Sequence, residues 1–302
     1  MAIEEWHWEI TRRCNLQCLH CLYGDCVSMS EMDLAQAEQS INRIATLGGR
    51  SLKLTGGEPM MRKDLGYLIS HADSVGLKVE MITNGTLLTD RFLDEAGECL
   101  NHVAVSIDGF CKAHDTLRGK GAFKMAMSAL DRLTSRGIHV SISITVSALN
   151  FHELPNLLKF LTERGVDNLH INDLNMVGRA KHNRHLIGLE WDKESRQQLF
   201  DILGKVFGYT ADNATVDTAC NVEPSSVCIS ASGEVFACTE IMLVCPTNKI
   251  GMIQDIDLEE KVHAHCNIDP TKLGCRYTSY AWPGVSLIIQ SGQSCPLTKE
   301  GV

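Results

Sequence analysis

The chain has 302 residues, with 28 Lys and Arg against 37 Asp and Glu for a formal net charge of −9. A hydrophobic share of 44% and a charged share of 22% suit a soluble protein with one large domain and a small one, and the acidic balance argues against a phosphate-tracking nucleic-acid groove. The chain shows no basic signal-peptide start and no apolar run of membrane-spanning length, so a cytoplasmic protein is expected, in which 13 cysteines point to metal or redox work rather than disulfides.

The first predicted strand, 3–11, runs into Cys14-Asn15-Leu16-Gln17-Cys18-Leu19-His20-Cys21, a C-x₃-C-x₂-C spacing. A tight loop of this kind can give three thiolates to one face of a four-iron cluster and leave the fourth iron open to a ligand. From the run alone a structural zinc site stays open, with Cys26 or His20 as fourth ligand. A helix follows over 31–47, with Ser30 as N-cap and Leu34, Ala37, Ile41, Ile44 and Ala45 as its apolar face. The strand 50–55 ends in Gly56-Gly57-Glu58-Pro59, where two glycines allow close approach to the backbone and a carboxylate can receive an ammonium group. Helices over 62–75, 88–99, 122–136 and 151–164 then alternate with strands over 77–83, 101–107, 138–146 and 167–172. Six βα units of this kind predict a parallel sheet whose function gathers at the carboxyl ends of its strands. Those ends carry Thr83-Asn84-Gly85, Ser106-Ile107-Asp108-Gly109 with Arg118-Gly119 in the following loop, Thr145-Val146 to Asn150, and Gly178-Arg179-Ala180.

The cysteine run after the first strand and GGEP after the second, in this order, resemble the radical S-adenosylmethionine (SAM) superfamily. The resemblance implies an α/β fold with a partial (βα)₆ barrel over 1–185. It implies a [4Fe-4S] cluster on Cys14, Cys18 and Cys21 that binds SAM through its open iron. One electron, from an external donor such as flavodoxin or ferredoxin, then cleaves SAM to methionine and a 5′-deoxyadenosyl radical that removes hydrogen from an unactivated C–H bond. Gly56, Gly57, Glu58, Pro59, Thr83, Asn84, Ser106, Asp108 and Arg118 look like the SAM-binding positions, with Glu58 on the methionine amino group and His20 beside the adenine.

Beyond about 185 the pattern changes to a linker helix over 186–209, with an amphipathic run at 189–208, and then a turn-rich stretch over 210–302 carrying seven cysteines. Residues 228–238 read as a β-hairpin turning at Ser232-Gly233, and 248–252 as a short following strand. The spacing Cys220-x₁₂-Gly233-x₄-Cys238 resembles the twitch or SPASM extensions that hold auxiliary iron–sulfur clusters in this superfamily. The longer SPASM cysteine run is absent, so the expectation is one auxiliary [4Fe-4S] cluster on Cys220, Cys238, Cys266 and Cys275, with Cys228 a competing ligand. Cys245 lies outside that set and is the candidate hydrogen-atom donor to a substrate radical. The pairs His182/His185 and His263/His265 have no convincing carboxylate partner and are not read as metal sites.

The first strand starts almost at once, which leaves no room for an N-terminal peptide-recognition domain and tilts the expectation toward a small substrate. The twitch-like extension, acidic charge and spare thiols resemble aminoglycoside-type carbohydrate epimerases and dehydrogenases, oxidoreductases of antibiotic biosynthesis. Asp108, Asp173 and Glu240 are the candidate acceptors for sugar hydroxyls or ammonium groups. Modification of a ribosomal peptide or protein side chain is the alternative reaction, and a cysteine-rich metal-binding module the alternative without catalysis.

Overall fold

The structure, a computed structural model, describes residues 3–24, 30–166, 168–172, 174, 177–188, positions 194, 197, 198, 201 and 202, and residues 226–237, 242, 247–266 and 286–290. Six βα units occupy the positions their periodicity predicts. The strands are β1 (Glu5–Thr11), β2 (Ser51–Gly56), β3 (Lys78–Thr83), β4 (Leu100–Ser106), β5 (Val140–Thr145) and β6 (Asn168–Asn172). Between them lie α1 (Leu34–Thr46), α2 (Leu65–Ser74), α3 (Asp90–Ala96), α4 (Cys111–Arg118), α5 (Ala122–Ser135) and α6 (Leu154–Glu163). All six strands are parallel, in the spatial order β1 to β6.

Alternation along each strand sorts the two faces. Trp6, Trp8, Leu52, Leu54, Val79, Met81, Val103, Val105, Ile142, Ile144, Leu169 and Ile171 are all buried in one core with apolar residues of α1, α2, α5 and α6, such as Ile41, Leu68, Leu133 and Leu157. Burial of each such side chain contributes about 1.5–3 kcal/mol. The residues between them, His7, Lys53, Glu80, His102, Ser143 and His170, share the other face, the lumen of the partial barrel, and most are half-buried.

Two local expectations change. The cap of α1 is Asp33, not Ser30: Asp33 accepts from the Gln36 N–H at 2.8 Å and its own N–H donates to the Gln36 side chain at 3.0 Å. A carboxylate backed by an amide three residues on closes a reciprocal capping box, which Ser30 is too early to make. Helix α4 falls in what reads as a loop. It ends at Arg118, and the carboxylate of Asp115 then accepts the N–H groups of Gly121 and Phe123 at 2.6 and 2.9 Å, leading into α5.

After β6 come two short helices, α7 (Gly178–His182) and α8 (Arg184–Ile187). Of the helix predicted over 189–208, the described positions are helical. The hairpin is present as β7 (Ser226–Ile229) and β8 (Glu234–Phe236), with β9 (Gly251–Met252) antiparallel to β8 as the short strand that follows. β7 lies parallel against β1, so the hairpin extends the barrel sheet at that edge. A helix, α9 (Leu258–Cys266), follows, and β10 (Ser286–Gln290) pairs antiparallel with β6 at the opposite edge. The described strands thus form one ten-stranded sheet.

Candidate active site

Cys14, Cys18 and Cys21 lie in the loop after β1 and are free thiols, near enough to act on one another electrostatically. Burial pushes the Cys18 thiol up to about 11, and pushes Cys14 up as well, against the Leu16 N–H that donates to its sulfur at 3.4 Å. Among the described residues no three His, Cys, Asp or Glu side chains converge on one ion. Zinc needs its ligands on one centre about 2.3 Å away, whereas a cluster takes each thiolate on a separate iron. Three thiols in one short loop supply ligands for three irons of a four-iron cluster and leave the fourth open.

The glycines of GGEP bring the end of β2 against the chain that enters the cysteine loop. The Gly57 N–H donates to the Thr11 carbonyl and the Glu58 N–H to that of Arg13, both at 2.8 Å. A Cβ on Gly56 would lie 2.1 Å from the Thr11 oxygen, and one on Gly57 2.3 Å from the Arg13 oxygen. Both glycines are needed because the strand end is zipped against the chain entering the cysteine loop.

Glu58 is also engaged within the protein. Its carboxylate is fully buried and accepts from Thr83 Oγ1 at 2.7 Å, the Asn84 N–H at 2.8 Å and the Met60 N–H at 3.2 Å. Burial raises its pKa against those donors. Pro59 starts the short 3₁₀ turn that brings the Met60 N–H round. Asn84 continues the brace, with its amide nitrogen donating to Asn15 Oδ1 in the cysteine loop at 3.1 Å.

Asp108, at the end of β4, is wholly buried and both its oxygens are taken. Arg118 Nε and Nη2 donate to it at 2.5 and 3.1 Å, the Thr145 N–H at 2.9 Å, and His20 Nε2 stands 3.4 Å away. Burial alone would raise its pKa, but the Arg118 guanidinium outweighs this and holds the carboxyl well below the usual range. Burial drives His20 to about 4, so it is neutral at pH 7. Asp108 is thus a brace between β4, α4 and the cysteine loop, not an exposed acceptor for a sugar. Ser106, two residues earlier, is buried at the strand end.

The lumen face carries a row that sequence reading missed. Glu80 takes Lys53 at 3.2 Å and faces His102 at 3.8 Å, and the His102 imidazole, ahead of Lys53, holds its carboxyl down at about 2. His7 is lowered to about 4 by burial and then by Lys53, and burial lowers His170 too. The signal was available as polar residues at every second position of strands whose other face is apolar.

These neutral imidazoles imply an acid-side loss of stability. His7 and His114 both have folded pKa values near 4, below the unfolded value of 6.5. Their contribution is complete above pH 6.5 and is lost as pH falls from 6.5 toward 4, because the unfolded chain takes the protons first. Glu80 acts the same way at lower pH, since its contribution is lost only below about 4.5. Urea unfolding is expected to show falling stability between pH 7 and 5, and His114→Gln should flatten that slope; an unchanged slope would remove His114 from the account.

Cys220, Cys238, Cys245 and Cys275 lie outside the described residues, as do Asp173 and Glu240, and no side-chain placement is described for Cys266. Cys228 is buried on β7, in register with His7. Clefts among the described residues include one of about 320 Å³ between the cysteine loop and the end of α4, lined by Asn15, Leu16, Arg118 and Lys120, and one of about 560 Å³ at the amino ends of β4 and β5, away from the thiols. No helix among the described residues is long and apolar enough to cross a membrane.

Among curated proteins, the chain is 31% identical over 221 residues to Fe-coproporphyrin III synthase of Methanosarcina barkeri, covering 71% of this chain and 55% of that one. It is 30% identical over 205 residues to mycofactocin maturase MftC of Mycolicibacterium smegmatis, covering 65% and 50%. The chain spans about half the length of the curated relatives it matches. Its fold is similar to that of Streptococcus suis SuiB bound to S-adenosylmethionine, with a TM-score of 0.69 at 15% identity over 91% of this chain and 71% of that one. Residues 8–161, more than half of the chain, match the radical SAM superfamily, and they are the residues that carry the three thiols and build β1 through most of α6: the chain belongs to this superfamily, whose members use a four-iron cluster and SAM.

Proposed function

We propose that this radical SAM enzyme removes hydrogen from a hydrophilic side chain of a peptide held in the barrel lumen. The observation that carries the reading is the position of the three thiols at the carboxyl end of β1, above a polar lumen. The peptide comes from the named relatives, of which one is a maturase and another the PqqA peptide cyclase of Bradyrhizobium diazoefficiens. The described lumen presents His7, Lys53, Glu80, His102 and His170, with Ile82 and Ala104 as apolar exceptions, a lining that suits a hydrophilic group.

When bound, the cluster and SAM supply a carbon-centred oxidant strong enough for an unactivated C–H bond. The chain's own residues hold the reactants in place. Cys14, Cys18 and Cys21 hold the iron. The backbone of 56–57, with Asn84, Ser106 and Arg118, borders the SAM side. Glu58, Thr83, His20 and Asp108 fix those elements from beneath as buried braces. Glu58→Gln is therefore expected to lower stability by about 1–3 kcal/mol, since an amide must turn its NH₂ toward a buried donor. SAM affinity should fall with it, at matched iron content. Full stability with lost affinity would restore the direct ammonium contact.

The electron comes from a partner. Lys181, His182, Arg184 and His185 are exposed on α7 and α8, beside the cysteine loop, and suit an acidic carrier such as flavodoxin or ferredoxin. The double variant K181E/R184E should slow reduction by flavodoxin severalfold and leave reduction by dithionite unchanged; equal rates would place the docking face elsewhere.

The second reading is a small, cationic carbohydrate, epimerised or dehydrogenated, which the same polar lumen favours. Here Cys245 would return a hydrogen atom, with Cys228 the described thiol that borders the lumen row, and an auxiliary cluster on Cys220, Cys238, Cys266 and Cys275 would accept an electron in the oxidative case. Anaerobic, dithionite-driven incubation with precursor peptides and with aminoglycosides tests both. Peptide-dependent 5′-deoxyadenosine and a mass change on the peptide are expected. Stimulation by aminoglycosides alone, with solvent deuterium entering the sugar carbon in D₂O, would install the second reading.

A further inference from the structure

We propose that Arg179 and Asn183, at the end of β6, form a latch that holds the cysteine loop in the shape its iron–sulfur cluster requires, and that the Arg179 charge belongs to the electrostatic environment of that cluster. The inference rests on Cys14, Cys18 and Cys21 as the cluster ligands. Four carbonyls of that loop find donors in α7 and the residue after it. The Arg179 N–H donates to Cys21 O at 2.9 Å, its Nε to Cys18 O at 3.0 Å and its Nη1 to Gly24 O at 3.0 Å. Asn183 Nδ2 donates to Leu19 O at 3.0 Å. The acceptors thus include the carbonyls of two of the three thiol-bearing residues.

The loop has few other backbone bonds among the described residues: Cys21 N–H to Cys18 O at 3.3 Å, and Leu19 N–H to Leu117 O at 2.8 Å. A loop without its own ladder must have its carbonyls satisfied from outside. A guanidinium suits the task, because its planar fork serves two separated oxygens at fixed geometry, which a lysine cannot do. Gly178 makes the approach feasible. Its φ is +56°, and a Cβ there would lie 2.2 Å from Leu22 O and 2.6 Å from Cys21 O. The Gly-Arg pair after β6 thus packs onto the cysteine loop.

The guanidinium, bonded to the Cys18 and Gly24 carbonyls, stands directly against the backbone that carries the thiols. A fixed cation beside a cluster favours the added electron of the reduced state, and groups outside the ligand shell commonly tune a metal centre this way. Arg179 and Asn183 are positioning residues in this account, and Arg179 has an electrostatic part as well.

The test uses the full chain, reconstituted anaerobically, with Arg179→Lys, Arg179→Gln and Asn183→Ala. Iron retained after a chelator challenge reads the latch; the midpoint potential and the SAM-induced change in the EPR spectrum of the reduced cluster read the environment. Arg179→Lys should lose iron severalfold faster than wild type and keep a near-wild-type potential. Arg179→Gln should lose iron as fast and shift the potential to more negative values. Asn183→Ala should lose iron at an intermediate rate with no shift. A role in folding alone would lower the melting temperature and move neither the potential nor the SAM-induced change. Wild-type iron retention and potential in all three variants would overturn the proposal. A wild-type protein whose cluster does not respond to SAM would instead refute the assignment of the three cysteines.

Discussion

Alanine at Cys14, Cys18 and Cys21 together is expected to abolish SAM cleavage and to leave about half of the iron bound by the reconstituted wild-type protein. The arithmetic assumes about eight irons, one four-iron cluster on this loop and one on the later cysteines. The loop's three thiols are free and near enough to act on one another electrostatically, and three thiolates are what a four-iron cluster with one open iron takes. Removing them takes away every protein ligand of the SAM-binding cluster, and the later set is separate in sequence. The readouts are iron and sulfide content, and 5′-deoxyadenosine formed with dithionite. Persistent 5′-deoxyadenosine would show that another thiol set carries the reactive cluster. Loss of all the iron would show that the later cysteines hold none on their own.

The sheet was legible in the sequence because both of its faces obey simple rules. Trp6, Trp8, Leu52, Leu54, Val79 and Met81 fall at every second position, and strands covered by helices must bury those positions. The amphipathic spacing of α1, α5 and α6 is equally direct. Helix α4 escaped because it has only eight residues and low average hydrophobicity, and its termination depends on Asp115 turning back to receive two later N–H groups. The thiol loop and the strand ends were legible as places, not as contacts. Nothing local indicates that Glu58 will spend its carboxylate on Thr83 and Asn84, some 25 residues on, or that Arg179 will reach back 161 residues to Cys18. A polar side chain at a strand end reads as ligand-facing until its partners are seen. The pairing of β7 with β1 was likewise hidden, because a hairpin's register shows in its own alternation while the edge it docks on does not.

The Asp108–Arg118 pair sets the largest expected single-residue effect. Asp108 is fully buried, and Arg118 is nearly so, with two hydrogen bonds between them. The two imidazoles beside the pair add no full charge at neutral pH, since burial keeps both His20 and His114 near 4. Asp108→Asn therefore leaves the guanidinium buried without a counter-charge, and breaking such a pair typically costs about 3–5 kcal/mol. Urea unfolding at pH 7.5 should show a loss of that order. The pair's own contribution does not fade in the working pH range, because the folded pKa of Asp108 is depressed and its stabilisation is lost only as pH falls below the unfolded carboxylate value of about 4. A double variant, Asp108→Leu with Arg118→Met, separates structure from function. Removing both charges for apolar groups of similar size should recover much of the lost stability. It should not recover SAM binding, because Arg118 borders the cysteine loop and supplies a cation to its thiols. Recovery of both would reduce the pair to a fold support; recovery of neither would mean that the joint between the end of β4 and α4 needs the charges in order to form.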